Sequence, residues 1–260
     1  MTSIAKPPRI LSIAGSDSSG GAGIQADIKT ITMLGGFAMT AITAVTAQNS
    51  LGVTGVETLS PAMVAAQVEA CVSDIGVDAV KIGMLGSAAI AHAVADCLEP
   101  LDVQVVFDPV MISSSGSVLA DEETVVAFER LMKLAALTTP NVPELVALGG
   151  AEAMAKRGVV YLAKGGDAQG DTVFDRLIRP GAETLEWSAP RIVTRHSHGT
   201  GCTLSSAIAT QLGRGAALPD AIETGRAFVR AALEAAPDFG AGHGPMGHQA
   251  VRLEFTSTRA

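Results

Sequence analysis

The chain has 260 residues, of which 48% are hydrophobic and 17% are charged, and its formal net charge is −8. Disordered chains are poorer in apolar residues and richer in charge, so this composition excludes global disorder. The acidic balance, with no local run of Lys and Arg, argues against nucleic acid as a partner, because phosphate backbones would be repelled. The length favours a single domain over residues 1–260.

Three cysteines occur, at positions 71, 97 and 202. Their odd number and spacing indicate neither a disulfide framework nor a zinc site, and they favour a reducing, cytoplasmic location. The segment 1–10 lacks the apolar core of a signal peptide. No charged residue occurs over 30–56, but Gln, Asn and Thr interrupt that segment. It therefore predicts buried sheet rather than a membrane span, and we expect no membrane partner.

Short apolar runs alternate with longer helical patterns, which predicts an α/β fold with a central, mainly parallel sheet flanked by helices on both faces. The predicted strands are 9–14, 38–46, 53–59, 79–84, 103–107, 137–139 and 159–163, followed by a hairpin over 171–187. One predicted helix follows the loop 15–23, and the others cover 60–75, 88–98, 121–136, 201–212 and 219–236. The Gly-rich tail 240–248 is predicted to be irregular, with His243 and His248 exposed to solvent.

A loop of small residues, 15–23 (GSDSSGGAG), separates the first strand from the first helix. Backbone N–H groups at such a helix start favour an anion or another polar ligand. The loop is not a Walker A motif, because no Gly-Lys-Ser/Thr closes it, and it does not fit a dinucleotide fingerprint. Taken alone, it is equally consistent with a tight strand-to-helix turn.

A second Gly-rich turn, 198–203 (HGTGCT), opens an apolar helix. The amides of residues 200–202 can converge there and stabilise developing negative charge. We expect the helix N-terminus to lower the pKa of the Cys202 thiol. The alternative, a small cysteine buried at a helix start, is the commoner role of an isolated cysteine. Cys71 and Cys97 have apolar helical neighbours and are predicted to pack in the core.

Chemistry-bearing residues also follow the ends of three predicted parallel strands, where open α/β sheets bind their ligands. They are Asp108, Asn141 with Glu144 three residues later, and Lys164. Asp108 and Glu144 can hold Mg²⁺ together with phosphate oxygens, and Lys164 can reach a phosphate. Each has a structural alternative: a turn at Asp108, a helix cap at Asn141 and a solvated cation at Lys164.

Seven segments occur in a fixed order: AGSDSSGGAGIQAD (14–27), TAVTAQNS (43–50), KIGML (81–85), FDPVM (107–111), TPNVPE (139–144), KGG (164–166) and HGTGCT (198–203). Each is modest alone, but the ordered set is specific. With this set, the chain resembles the hydroxymethylpyrimidine and hydroxymethylpyrimidine-phosphate kinases of thiamine biosynthesis, members of the ribokinase superfamily. The resemblance runs from about residue 9 to the Gly-rich tail.

The resemblance implies phosphorylation of 4-amino-5-hydroxymethyl-2-methylpyrimidine, and then of its monophosphate, by ATP and Mg²⁺ in a homodimer. The implied catalytic residues are Gly199, Thr200, Gly201 and Cys202, and the implied metal ligands are Asp108 and Glu144. The implied ATP and phosphate contacts are Asn141, Lys164, Gly199 and Gly201. The implied pyrimidine pocket consists of Gly15, Asp17, Ala22, Gln48, Met84, Val110 and Cys202.

Two of these assignments have a chemical rationale. The Gln48 amide can pair with both the amino group and a ring nitrogen of an aminopyrimidine. Many relatives in the superfamily have Asp as general base where this chain has Cys202, so we expect a Cys202 thiolate to deprotonate the alcohol. A phosphate monoester is already largely dianionic at pH 7. Cys202→Ser is therefore expected to impair the alcohol reaction more than the phosphate reaction.

The chain departs from the family pattern in three places. Asp17-Ser18-Ser19 stands where Asp-Pro-Ser is frequent, and His196-Ser197-His198 stands where Asn-Thr-His is frequent. The loop 112–123, in which many relatives carry Lys or Asp, is expected to be a mobile cover over the site. Two alternatives stay open: a pyridoxal or pyridoxine kinase on the same fold, and a non-catalytic small-molecule binder.

Overall fold

The computed structural model describes residues 6–112 and 119–252 and confirms the predicted α/β architecture. The strands are β1 (Arg9–Asp17), β2 (Phe37–Asn49), β3 (Gly52–Thr58), β4 (Ala79–Ile82), β5 (Gln104–Phe107), β6 (Leu137–Thr138), β7 (Tyr161–Ala163), β8 (Thr172–Ile178) and β9 (Leu185–Pro190). They form one sheet in the order β3-β2-β1-β4-β5-β6-β7-β8-β9. The strands from β2 to β7 in this order are parallel, and β3, β8 and β9 add antiparallel edges.

Helices cover both faces of this sheet. They are α1 (Gly23–Met33), α2 (Pro61–Ala70), α3 (Ala88–Leu98), α4 (Glu122–Leu134), α5 (Val142–Ala147), α6 (Gly150–Arg157), α7 (Thr200–Gly213) and α8 (Leu218–Glu234). Apolar side chains of α2, α3 and α4 fill the core on one face, and those of α1, α7 and α8 fill the core on the other. None of the helices in the described ranges is long and apolar enough to cross a membrane.

Polar side chains cap the starts of α2 and α4. Ser60 caps α2 by accepting a hydrogen bond from the Met63 amide, and Asp121 caps α4 by accepting one from the Thr124 amide. These side chains satisfy amides that have no partner within the first turn of a helix. The predicted helix over 60–75 is interrupted, because α2 ends at Ala70 and a π-helical turn, Cys71–Ile75, follows.

Other boundaries also differ from the sequence prediction. The helices α5 and α6 were not predicted as elements, because each is short and carries little periodic pattern. The expectation of buried sheet over 30–56 is wrong for β3, which is mostly exposed because it is an antiparallel edge strand. Residues 113–118 of the expected cover loop lie outside the described residues.

A buried ion pair lies among β1, β4, α1 and α7, close to the two Gly-rich turns. Lys81 on β4 lies 2.9 Å from Asp27 on α1, and both side chains are fully buried. Ser12 on β1 and Ser206 on α7 donate hydrogen bonds to the same carboxylate, at 2.5 and 2.7 Å. Burial opposes the charge of Lys81, but Asp27, followed by Cys202 and Asp108, raises its pKa. Lys81, Asp27, Ser12 and Ser206 form the Lys81–Asp27 cluster. This cluster fixes β1, β4, α1 and α7 against one another.

We expect Lys81→Met to lower the free energy of unfolding by about 3–5 kcal/mol, because it leaves the Asp27 carboxylate buried without a counter-charge. Urea denaturation measures this loss. Lys133→Met is the matched control, since Lys133 pairs with Glu129 on an exposed face of α4 and such pairs contribute little. Similar losses in the two variants would contradict the role assigned to the buried pair.

Candidate active site

A cavity of about 810 Å³ opens at the carboxyl ends of the parallel strands and includes both Gly-rich turns. Every site residue predicted from the sequence lines it: Gly15, Asp17, Ala22, Gln48, Met84, Asp108, Val110, Asn141, Glu144, Lys164, Gly199, Thr200, Gly201 and Cys202. The sheet topology explains this convergence, because the carboxyl ends of parallel strands share one edge and the loops that follow them meet there.

Asp17, at the end of β1, organises the first Gly-rich loop. Its carboxylate accepts hydrogen bonds from the amides of Ser19, Gly21 and Ala22, at 2.8, 3.1 and 2.8 Å. Burial opposes its charge, but hydrogen bonds from His198, Ser19 and Ala22 lower its pKa. Because the carboxylate accepts these bonds, it fixes the conformation of the loop. Asp17 can therefore influence substrate binding indirectly, through the position of the loop. Its predicted direct contact with substrate stays a prediction.

The second Gly-rich turn starts α7 and lies against the first. Gly199 caps the helix with a φ of 88°, and a Cβ there would collide with the Gly21 carbonyl. A Cβ on Gly201 would lie 3.3 Å from both Asp108 Oδ2 and Lys164 Nζ. Glycine at these two positions therefore lets the first turn of α7 approach both the first loop and a charged pair. The first-turn amides of a helix have no carbonyl partner within it, so this turn can stabilise an anion.

Lys164 is held by carboxylates, so its alternative role as a solvated cation is wrong. Its Nζ lies 2.7 Å from Asp108 Oδ1 and 3.8 Å from Glu144 Oε2, and the side chain is only 12% exposed. Thr139 donates a second hydrogen bond to Asp108 Oδ1, at 2.9 Å. The pair is therefore a fixed positive and negative group at the cavity wall, close to the first turn of α7.

Asn141 caps α5, which is the structural role that the sequence analysis gave as its alternative to a phosphate contact. Its side chain accepts a hydrogen bond from the Glu144 amide, and Glu144 Oε2 accepts one from the Asn141 amide, both at 2.8 Å. Burial raises the pKa of Glu144 to about 7, although Lys164 acts in the opposite direction. The cap brings the Glu144 carboxylate to the same wall as Asp108 and Lys164.

These carboxylates fit a magnesium ion bound together with phosphate oxygens. Across residues 6–112 and 119–252, no three His, Cys, Asp or Glu side chains form a cluster that could hold a metal alone. Mg²⁺ is usually held by one or two carboxylates, with substrate phosphates and water completing its shell. Asp108 and Glu144 are such a set, since both carboxylates are buried and both line the cavity.

The expected low pKa of Cys202 is wrong. Burial raises the pKa of its thiol to about 11, Lys81 acts to lower it, and Asp27 and Asp108 raise it further. The helix start does not offset the loss of water around the sulfur, so the thiol is neutral at pH 7. The preformed thiolate base is therefore not supported, and the selective effect expected for Cys202→Ser loses its basis.

Sequence reasoning also missed how the Gly-rich tail is used. His248 is fully buried rather than exposed, and its Nε2 lies 2.8 Å from Thr203 Oγ1 on α7. Burial lowers the pKa of His248 to about 4, so the ring is neutral at pH 7. His243 is exposed as predicted. The tail thus packs behind α7, which its low complexity gave no reason to expect.

Thr46 and His198 are among the polar residues of the cavity to which the sequence analysis gave no role. His198 Nε2 lies 2.8 Å from Asp17 Oδ2, so it joins the two Gly-rich turns directly. The available signal was its position, immediately before the Gly199 turn in a segment that departs from the family pattern. Thr46 lay among several Thr residues of β2, and nothing in the sequence distinguished it.

A helix N-terminus beside two carboxylates and a lysine, all lining one cavity, is typical of a small-molecule phosphotransferase. The family model of phosphomethylpyrimidine kinase matches residues 17–247 of this chain. The chain belongs to the phosphomethylpyrimidine kinase family.

Individual relatives agree with this family. The hydroxymethylpyrimidine/phosphomethylpyrimidine kinase of Rhizobium meliloti is 43% identical, over 95% of this chain and 97% of the relative. The thiamine biosynthesis bifunctional protein ThiED of Geobacter sulfurreducens is 45% identical over 92% of this chain, which spans only 52% of that longer protein.

Solved structures share the fold. A Bacillus subtilis pyridoxal kinase in complex with ADP aligns with a TM-score of 0.84 at 32% identity, over 96% of this chain and 100% of that one. A phosphomethylpyrimidine kinase from Clostridium difficile aligns with a TM-score of 0.72 at 36% identity, over 86% of this chain and 98% of that one.

The raised pKa of Cys202 predicts how the thiol reacts with iodoacetamide. Because only the thiolate is nucleophilic, the rate of alkylation at Cys202 should rise steadily with pH, with no inflection below about pH 9. Peptide mapping by mass spectrometry measures this rate, with Cys71 and Cys97 as internal references. An inflection near neutral pH would show a low-pKa thiolate and contradict this account.

Proposed function

We propose that this chain transfers the γ-phosphoryl group of ATP to the hydroxymethyl group of 4-amino-5-hydroxymethyl-2-methylpyrimidine, and a second phosphoryl group to the resulting monophosphate. The observation that carries the proposal is a single cavity with two kinds of lining. One part, with Gln48 and Met84, suits a flat polar ring. The other part, with Lys164 and the first turn of α7, suits phosphate groups. The relatives named for these reactions support the same assignment.

In this proposal the protein acts by position and charge. Phosphoryl transfer passes through a loose transition state, so most catalysis comes from alignment and neutralisation of charge. The first-turn amides of α7, at Gly201 and Cys202, are placed to meet the transferring group, and Lys164 to meet an ATP phosphate. Mg²⁺, held by Asp108 and Glu144, would supply charge neutralisation between the ATP phosphates when bound.

The neutral Cys202 thiol fits a positioning role better than a base role. The Gly23 amide acts to lower the pKa of the thiol, so the sulfur lies beside the end of the first loop as well as in the first turn of α7. In this proposal the sulfur packs between the two turns next to the acceptor. The acceptor hydroxyl needs little base assistance when the attack on phosphorus is loose.

Two further parts of the proposal rest on the family. We propose a homodimer, which the exposed apolar side chains of Val45, Leu51 and Val56 around β3 support, and light scattering tests it by mass. We also propose a single kinase domain, which the continuous sheet supports. The cytoplasmic location expected from the cysteine content is proposed as well.

One observation favours a second candidate, a pyridoxal kinase. The B. subtilis pyridoxal kinase superposes with a higher TM-score and over more of the chain than the C. difficile phosphomethylpyrimidine kinase does. Its identity to this chain is lower, and Gln48 offers an amide that matches an aminopyrimidine. We therefore rank the pyrimidine first and pyridoxal second.

A coupled ADP-release assay with ATP and Mg²⁺ separates these candidates. We expect kcat/KM for hydroxymethylpyrimidine and for its monophosphate to exceed the value for pyridoxal by about tenfold or more, the scale on which one well-placed hydrogen-bonding group discriminates. Faster turnover of pyridoxal would reject the pyrimidine assignment. Reactions without acceptor measure the background hydrolysis of ATP.

A further inference from the structure

A series of polar contacts runs from Asp17 of the first Gly-rich loop to His198 of the second turn, and from His198 through Gln48 and Thr46 back to the first loop. His198 Nε2 lies 2.8 Å from Asp17 Oδ2 and 3.3 Å from Gln48 Nε2. On the other side of the amide, Thr46 Oγ1 lies 3.2 Å from Gln48 Oε1 and 3.0 Å from the Ser16 carbonyl oxygen. Asp17, Thr46 and His198 are almost completely buried, so these contacts exchange little with water.

The first link fixes the proton on His198. The Asp17 carboxylate accepts hydrogen bonds from several amides, and its pKa is low, so it is ionised and can only accept. His198 Nε2 must therefore carry the hydrogen of the contact with Asp17. This conclusion holds for the neutral ring and for the protonated ring alike.

The second link then fixes the amide of Gln48. A protonated Nε2 has no lone pair, so it cannot accept a hydrogen bond from the Gln48 NH₂ group 3.3 Å away. The nitrogen and oxygen of a side-chain amide are assigned from their hydrogen-bond partners. With the amide turned by 180°, its oxygen accepts from the single Nε2–H of His198, which is then shared between Asp17 at 2.8 Å and Gln48 at 3.3 Å. The NH₂ group of the turned amide donates to Thr46 Oγ1. The Thr46 hydroxyl then gives its single hydrogen to the Ser16 carbonyl, and every contact pairs a donor with an acceptor.

The main chain of Gln48 is held as well. The Ser18 hydroxyl donates to the Gln48 carbonyl at 2.8 Å and accepts from the Gln48 amide at 2.9 Å. Ser18 stands where proline is frequent in the family, and proline has no side-chain group for either bond. In this chain, therefore, the main chain of Gln48 is anchored to the first loop, and its side chain is held between Thr46 and His198.

We propose that His198 and Thr46 are positioning residues that fix the Gln48 amide in one orientation, with its oxygen toward His198 and its nitrogen toward Thr46. The second lone pair of the Gln48 oxygen and the second N–H of its NH₂ group then face the cavity, each on a fixed side of the amide. This arrangement selects an acceptor ring with a hydrogen-bond donor next to a ring acceptor, as in an aminopyrimidine. This selectivity rests on the proposed function, whereas the orientation of the amide does not.

The protonation of His198 is tested without any turnover. In ¹⁵N-histidine-labelled protein, two-bond ¹H–¹⁵N correlation spectra show which ring nitrogen carries hydrogen, and the signals absent from His198→Gln identify this residue. We expect hydrogen on Nε2. A bare Nε2 would overturn the proposal, whichever acceptor the enzyme uses.

The role of Thr46 is tested by removing its hydroxyl. In Thr46→Val, we expect KM for hydroxymethylpyrimidine to rise about tenfold, the effect of losing one orienting hydrogen bond, while KM for ATP stays unchanged. Thr46→Ser, which restores a hydroxyl, should recover most of the loss. Thr54→Val is the matched control, because it removes an exposed hydroxyl of β3 that bonds only the Ala47 carbonyl among the contacts described.

Three results would contradict this role of Thr46: an equal rise in KM for ATP, no recovery in Thr46→Ser, or the same loss in Thr54→Val. A parent enzyme that does not use hydroxymethylpyrimidine would show instead that the proposed function is wrong. In that case the selectivity proposed for Gln48 falls with it, and the histidine spectra still decide the orientation of the amide.

Discussion

The buried ion pair between Lys81 and Asp27 is the constraint on which the site depends. Isolated charges are very costly to bury, so β4 and α1 can form this structure only when the two charges meet. The hydroxyls of Ser12 and Ser206 donate hydrogen bonds to the Asp27 carboxylate, so β1 and α7 meet at the same buried point. Because β1 leads into the first Gly-rich loop and α7 begins at the second, one buried cluster determines how the two turns face each other.

The two turns are also joined directly, and these contacts give the cavity its character. Gly199 packs against the Gly21 carbonyl, and His198 donates to Asp17 across the same junction. Beyond this junction, the Asp108–Lys164 pair approaches the first turn of α7. The cavity therefore changes in character along its length, from neutral amide and thioether groups near Gln48 and Met84 to charged groups near Lys164. This change suits the first proposed reaction, in which the acceptor is a neutral ring and the donor is a polyanion.

The sequence predicted the fold class and most elements because alternating apolar runs and strong caps such as Ser60 and Asp121 are local signals. It also predicted which residues line the cavity, since strand ends and Gly-rich turns are local too. The sequence-based predictions were wrong for properties that depend on how deeply a side chain is buried. Desolvation, not the helix start, dominates the pKa of Cys202, and the packing of His248 behind α7 depends on distant residues. The pairing of Lys81 with Asp27 joins residues 54 positions apart, and no local pattern reports it.

The central claim is that acceptor and nucleotide bind at the same time, at two ends of one cavity. Isothermal titration of hydroxymethylpyrimidine into the protein tests it directly, first alone and then with a saturating non-hydrolysable ATP analogue and Mg²⁺. We predict one acceptor site per chain, with affinity that is equal or higher when the nucleotide is bound. Mutual exclusion of the two ligands would contradict the account, because it would mean that they compete for the same part of the cavity.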